Sequence, residues 1–382
     1  MADLSGPEPA IAEISSWPGY LETPLWSLTG LARHFGVASI HYKDESGRFG
    51  PELASFKALG APYAVFRLLA AEIKAKTGKD ASSDELRNGK YRSITGDLTV
   101  CVATDGNQGR GLAWGARQFG CRCVVYVHEH VSAARVAAIE RFGATVVRVP
   151  GAYEDSVARV NADAAAQGWH IVTSTASHGY AGRPRDVMQG YMTMVEESLR
   201  QLPNGDRPTH LLMQGGVGSI AAAVFTGYFN AFRGQSPRFI LVEPEEADCL
   251  FQSARAGRPT PAAGSLRTIM AGLACREVSP SAWSILQWLT NDFVTITDAL
   301  AEEAMRELAR GRNGDPKIVA GESAVGGLAV LMLAKYDASL RQALGLDDRS
   351  RVALFGCEGA TDPEAYRRIT GISPGVRPQD PS

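Results

Sequence analysis

Apolar and polar positions change period along this chain in a regular way. Residues 98–104 (LTVCVAT) form a β-branched, unbroken apolar run that predicts a buried strand, and helical spacing over 108–119 follows, closed by Gly120. The exchange then repeats. A strand over 123–128 precedes a helix over 133–142 closed by Gly143, and a strand over 145–149 precedes a helix over 153–167 closed by Gly168. A further strand covers 169–173. Beyond Gly190 the pattern predicts a strand at 210–214, a helix at 220–232 and a strand at 239–242. A less regular interval spans 244–292. Helices at 298–311 and 324–344 and a strand at 352–355 complete it. Strands alternating with helices of roughly 10–15 residues predict an α/β fold with parallel sheets and right-handed crossovers.

The first hundred residues are patterned differently. Residues 1–38 read as an arm with an extended turn at 23–25 and a short helix at 28–35. A strand over 39–45 runs through the turn residues Ser46, Gly47, Gly50 and Pro51 to the stretch Ser55-Phe56-Lys57-Ala58-Leu59-Gly60, and an apolar helix over 61–73 leaves from it. The polar interval 77–96 is expected to be an exposed connection into a second domain. The tail 373–382, rich in Pro and polar residues, is expected to be disordered.

Composition narrows the function classes. A chain of 382 residues suits two domains or one large α/β unit. A net charge of −2 gives no electrostatic case for nucleic acid or an anionic membrane. The N-terminal stretch lacks a basic region followed by an apolar core, and no window approaches a spanning length of apolar residues, so a cytoplasmic protein is expected. The six cysteines are dispersed with no CxxC pair, which suits reduced thiols. His128-Glu129-His130 lacks zinc-site spacing, and no metal is expected.

Four stretches could carry chemistry. Lys57 stands at a helix start between apolar neighbours, where the macrodipole and burial favour a neutral, nucleophilic amine; lysine is scarce here, eight against thirty-one arginines. Otherwise Lys57 snorkels to water. The strand at 210–214 runs into Gly215-Gly216-Val217-Gly218-Ser219 and directly into a helix, a lysine-free cradle of N–H groups suited to a small phosphate monoester, or else simply a tight turn. Thr104-Asp105-Gly106-Asn107 lies at the carboxyl end of a strand, where α/β sheets bind ligands; its hydroxyl and N–H groups suit a carboxylate, and Asp105 is either an acid/base or a cap. Cys357 follows the last strand as a weak donor or a buried structural thiol, and Gly321-Glu322-Ser323 reads first as a helix cap.

Taken together these parts resemble the fold-type II pyridoxal-phosphate enzymes, and within them the diaminopropionate ammonia-lyases. The likeness runs from Tyr42 to about Tyr366, through YKDESGRFG, SFKALG, ATDGNQGRGLAW, VMQGYMTM, VEPEEADC, TIMAGLACREVSP, GES and EGATDP. It implies two open, mostly parallel α/β domains with the cofactor between them: a large domain of 1–95 plus 191–382 and a small one of 96–190. It also implies a homodimer. By the same resemblance Lys57 would hold pyridoxal 5′-phosphate covalently and shuttle the substrate's Cα proton, and Asn107 would bond the cofactor's phenolate oxygen. Gly215, Gly216, Val217, Gly218 and Ser219 would hold the phosphate, and Cys357 would face the ring nitrogen. Thr104, Asp105 and Gly106 would take the substrate carboxylate, with Asp105 as second acid/base.

The resemblance also departs from the family's pattern. Where these lyases read approximately Asp-Thr-Ala-Trp-Glu-Gly-Tyr, this chain has Ser174-Thr175-Ala176-Ser177-His178-Gly179-Tyr180, and Ala360 stands where an Asp is usual. Ser174 and His178 are therefore candidates for the substrate's β-substituent, with His178 either a replacement acid/base or an ordinary loop histidine. The implied activity is α,β-elimination of a small amino acid, 2,3-diaminopropionate to pyruvate and ammonia. Alternatives are a dehydratase of serine, threonine or hydroxyaspartate type, an amino-acid racemase, or a catalytically silent amino-acid-binding homologue.

Overall fold

The structure is a computed structural model that describes residues 6–104, 106–175 and 183–375. Among the described residues ten strands form two sheets: β1 (Leu25–Ser27), β2 (Ser39–Asp44), β3 (Thr99–Ala103), β4 (Arg122–His128), β5 (Thr145–Val149), β6 (His170–Ile171), β7 (His210–Gln214), β8 (Arg238–Pro244), β9 (Asp292–Ile296) and β10 (Arg351–Gly356). The larger sheet has the order β1-β2-β10-β7-β8-β9 and the smaller β5-β4-β3-β6. Every neighbouring pair is parallel except β1 with β2. Strands β3 and β7 are buried at every position because helices cover both faces, so neither alternates between apolar and polar residues. The last strand, β10, inserts between β2 and β7, so Leu354 lies opposite both Tyr42 and Leu212.

The regular alternation is confirmed closely: helices Asn107–Phe119 and Tyr153–Gln167 end on the left-handed glycines Gly120 and Gly168. Departures have local causes. The expected 324–344 helix is two, Gly326–Tyr336 and Ala338–Leu344, because Asp337 is extended and its carboxylate caps the Leu340 N–H at 2.9 Å. The interval 244–292 holds helices Cys249–Ala256 and Pro280–Leu289. The arm holds helix Glu8–Ser15 and edge strand β1, and 77–96 contains the helices Ser83–Arg87 and Arg92–Thr95. Of the expected disordered tail, 373–375 carry no secondary structure and the rest lies outside the described residues.

Helix Lys57–Thr77 is clasped by two others through glycines. A Cβ on Gly111 would sit 2.8 Å from the Lys57 carbonyl oxygen, one on Gly115 2.7 Å from Pro62 Cα, and one on Gly190 2.7 Å from the Leu59 oxygen. The neighbours are helices Asn107–Phe119 and Pro184–Gln201, so the backbone beside Lys57 meets each of them at near-minimum separation. The expected boundary at 190/191 falls inside the second of these helices.

The stretch YKDESGRFG builds a buried ionic cluster beneath this clasp. Arg48 is fully buried and donates to Glu45 Oε2 at 2.8 Å and to both Glu197 oxygens at 2.8 and 2.6 Å. Lys43 Nζ donates to Glu197 at 2.6 Å and to the Thr23 carbonyl at 2.6 Å. Burial opposes the Glu197 charge, but Arg48 and Lys43 outweigh it and hold its carboxyl at about 2. The cluster ties the loop that precedes Lys57 to helix Pro184–Gln201.

Candidate active site

Lys57 is the first residue of its helix, and its position is fixed from across the sheet. Ser55 bridges Glu358, the Phe56 N–H donates to the Cys357 carbonyl at 3.0 Å, and the Gly359 N–H donates to the Ala54 carbonyl at 2.9 Å. Ala54 reaches this bridge at φ +46°, a left-handed conformation that costs a non-glycine residue on the order of 1 kcal/mol and persists because the bridge holds it. The Lys57 ammonium lies 4.9 Å from the Phe56 ring centroid and 5.9 Å from that of Tyr191, and no acceptor is bonded to it among the described residues. Burial holds its pKa below the ordinary lysine range, against the pull of Cys275, Cys357 and Glu358.

Across a cavity of about 640 Å³ stands the turn after β7. Gly216 and Gly218 have φ of +60° and +96°, and a Cβ on Gly218 would come 2.8 Å from Leu286 and 3.1 Å from Ala282, so glycine is required by conformation and by space. The turn is fixed by Gly215 N–H to Val242 O at 2.9 Å and by Ser279 N–H to Val217 O at 2.9 Å. Helix Ser219–Ala231 starts immediately, and the N–H groups of Gly216, Val217 and Ser219 have no backbone acceptor among the described residues. The Ser219 hydroxyl donates to the Ser174 carbonyl at 2.6 Å, which ties this turn to the end of the smaller sheet.

The third wall joins both sheets. Asn107 begins its helix, and its amide donates to Glu358 Oε2. Glu358 Oε1 accepts from the Ser323 N–H at 3.1 Å. One amide hydrogen of Asn107 is thus aligned by Glu358 while the other is left for a ligand. The Cys357 thiol donates to the Ser323 carbonyl at 3.2 Å, and burial raises its pKa well above the ordinary value, so it stays neutral. Thr104 Oγ1 accepts from the Gly106 and Gly109 N–H groups at 3.0 and 3.4 Å, so it caps its own helix while still lining the cavity.

Lys57, Thr104, Gly106, Asn107, Ser174, Gly215, Gly216, Val217, Ser219 and Cys357 all line this one cavity. Gly218 lies behind it, shaping the turn. Asp105 and His178 are outside the described residues. Several lining residues were not singled out as site residues: Glu358, Ser323, Glu322, Cys275 and Gln214. Glu358 had a signal in its neighbour Cys357, but its contact with Asn107 spans 251 residues and has no local signature.

The cavity suits a phosphorylated aldehyde cofactor. A neutral-prone amine stands near one end, a glycine cradle with unpaired N–H groups at another, and a half-committed amide and an uncharged thiol lie between them. The chain belongs to the family of pyridoxal-phosphate dependent enzymes, whose model matches residues 17–357. Among individual proteins, it is 38% identical to the diaminopropionate ammonia-lyase of Escherichia coli (strain K12) over 355 residues, 92% of this chain and 87% of that one. The fold superposes on the holo crystal structure of the Escherichia coli enzyme with TM-score 0.87 and 35% identity, covering 96% of this chain and 92% of that one. The same enzyme solved with an aminoacrylate–PLP azomethine reaction intermediate gives TM-score 0.85 and 36% identity over 95% of this chain and 91% of that one. Among the described residues no helix is long and apolar enough to cross a membrane.

Proposed function

We propose that this chain is a pyridoxal-phosphate-dependent ammonia-lyase that performs α,β-elimination on a small amino acid, converting 2,3-diaminopropionate to pyruvate and ammonia. The observation that carries the reading is Lys57: a half-buried residue whose amine has no bonded acceptor among the described residues, sharing one cavity with a glycine phosphate cradle. Bound there, the cofactor supplies the electron sink that makes a substrate's Cα proton removable. The residues then have separate tasks. The turn Gly215–Ser219 takes the phosphate on its N–H groups, with the helix start adding positive potential. Asn107, aligned by Glu358, bonds the ring oxygen, and Cys357 offers the ring nitrogen a neutral thiol that does not force its protonation.

Lys57, whose pKa burial lowers from the ordinary lysine range, accepts the Cα proton. Thr104 and Gly106 receive the substrate carboxylate, and Asp105 is the second acid/base. Ser174 and His178 are the candidates for recognising the β-substituent. The β-amino nitrogen leaves with the Cβ–N electron pair as ammonia, and addition of one water turns the remaining carbon skeleton into pyruvate and a second ammonia. Residues 1–95 plus 191–382 form the large domain and 96–190 the small one, and the enzyme is a cytoplasmic homodimer.

Purified protein is expected to show a visible absorbance band that borohydride removes while labelling Lys57. K57A should lose the band and all turnover yet keep its fold. Two ammonia per pyruvate support the lyase. Protein that stays colourless when supplied with the cofactor would refute the assignment. Ser174, a hydroxyl where the lyase pattern carries an acid, favours one competing reading, a dehydratase acting on a hydroxy amino acid; it requires one ammonia per oxo acid.

A further inference from the structure

Of the buried carboxylates that reach the cavity, Glu358 is already committed. Its oxygens accept from the Ser323 N–H, the Asn107 amide and the Thr361 hydroxyl at 3.4 Å. Glu154 and Glu277 line the outer cavity but are exposed, and Glu154 faces Arg276 at 3.6 Å. Glu322 is different. It is 5% exposed, lines the same cavity, and among the described residues its carboxylate is bonded by its own backbone N–H and paired with no other residue. Nor is it the counter-ion of Lys57, whose amine feels Cys275, Cys357 and Glu358 instead.

A buried carboxylate held only by its own backbone N–H is costly, and the cost is relieved by taking up a proton or by pairing with a cation. Burial and the nearby Glu358 charge push the Glu322 carboxyl up to about 7, with its own backbone N–H and then Arg135 opposing them, so near neutrality it is poised between the two. Two further buried acceptors on residues that line the cavity lack a donor among the described residues: Gln108 Oε1 and Gln214 Oε1, both on residues more than nine-tenths buried. The cavity thus presents spare acceptors, and the ligand it fits is one that brings donors.

We propose that Glu322 is the specificity-determining residue that binds the β-ammonium of a 2,3-diamino acid. This rests on the elimination reading above. The α-amino group of such a substrate is engaged by the cofactor, which leaves the β-ammonium as the one strong donor in need of a partner. Serine carries a neutral hydroxyl at the same place and gains far less from a carboxylate. Held by Glu322, the β-nitrogen keeps its three hydrogens, takes the Cβ–N electron pair as that bond breaks, and departs as ammonia, while Lys57 holds the Cα proton. Glu322 returns to a buried acid and picks up a proton from solvent until the next diamino acid binds.

The test compares holoenzyme carrying E322Q or E322D with wild type, on 2,3-diaminopropionate and on serine, using both enantiomers of each. E322Q should lower kcat/KM for diaminopropionate by roughly 10- to 100-fold, the range for losing a charged hydrogen-bond partner, and leave serine within about threefold. E322D should recover part of the loss. The visible band and borohydride labelling of Lys57 should match wild type in both variants, which separates substrate recognition from a damaged cofactor site. An equal fall on both substrates, or none, overturns the role of Glu322 while leaving the elimination reading intact. A wild-type enzyme inert to diaminopropionate but active on serine overturns both the role of Glu322 and the diaminopropionate assignment.

Discussion

Alanine at Gly111 tests whether the glycine clasp sets the position of Lys57. The new Cβ would lie 2.8 Å from the Lys57 carbonyl oxygen and 3.1 Å from its carbonyl carbon, both backbone atoms that no rotamer change can move aside. To bring the oxygen contact out to about 3.4 Å, the helices must part by about 0.6 Å. Overpacking of this kind costs about 1–3 kcal/mol, and the better helix propensity of alanine returns about 1 kcal/mol, so the net loss is about 0–2 kcal/mol. The catalytic cost should be larger than that suggests, because the parting separates Lys57 from Asn107 across the cavity. A misplacement of about an ångström can cost on the order of 100-fold, so a loss of roughly tenfold in kcat is expected here. The control is G115A, one turn further along the same helix, whose Cβ would meet Pro62 Cα at 2.7 Å. It should destabilise the protein similarly in urea unfolding but affect kcat much less. Equal kcat losses in the two variants, or a kcat for G111A within about twofold of wild type, would refute positioning through this contact.

Two further predictions concern the ionic cluster under the clasp. R48M leaves Glu45 and Glu197 buried without their guanidinium and should cost about 3–5 kcal/mol, read as a lower urea midpoint; a loss below about 1 kcal/mol would mean that Lys43 alone compensates both acids. Glu197 has a depressed pKa, so its contribution is fully present above its ordinary value of 4.5 and is lost as pH falls towards about 2, on the order of 3 kcal/mol in all. E197Q should flatten the stability–pH curve across that acid window, and an unchanged slope would place the acid sensitivity elsewhere.

Much of the architecture was legible because its signals are local. The strand at 145–149 and the helix at 153–167 fell at their observed limits, since period and a terminal glycine mark them within a few residues. The turn Gly215–Ser219 was legible for the same reason: its glycines, its lack of lysine and the helix directly after it are contiguous. Asp337 shows the converse. A single cap inside an apolar run divides a helix, and apolar spacing on both sides conceals it. The edge strands β1 and β9 were missed because a three-residue strand and a half-buried one carry too little alternation to read.

From sequence alone came the chemical inventory: a scarce lysine at a helix start, a lysine-free glycine turn, an asparagine after a strand and a cysteine after the last strand. These depend on residue type and near-neighbour spacing, which the chain carries explicitly. Tertiary structure alone decided that β10 lies between β2 and β7, that Glu358 rather than solvent aligns Asn107, and that Glu322 lines the cavity paired with no other described residue. Such pairings join residues hundreds of positions apart, and they are selected by which buried faces and polar groups can be satisfied together, a condition no local stretch contains.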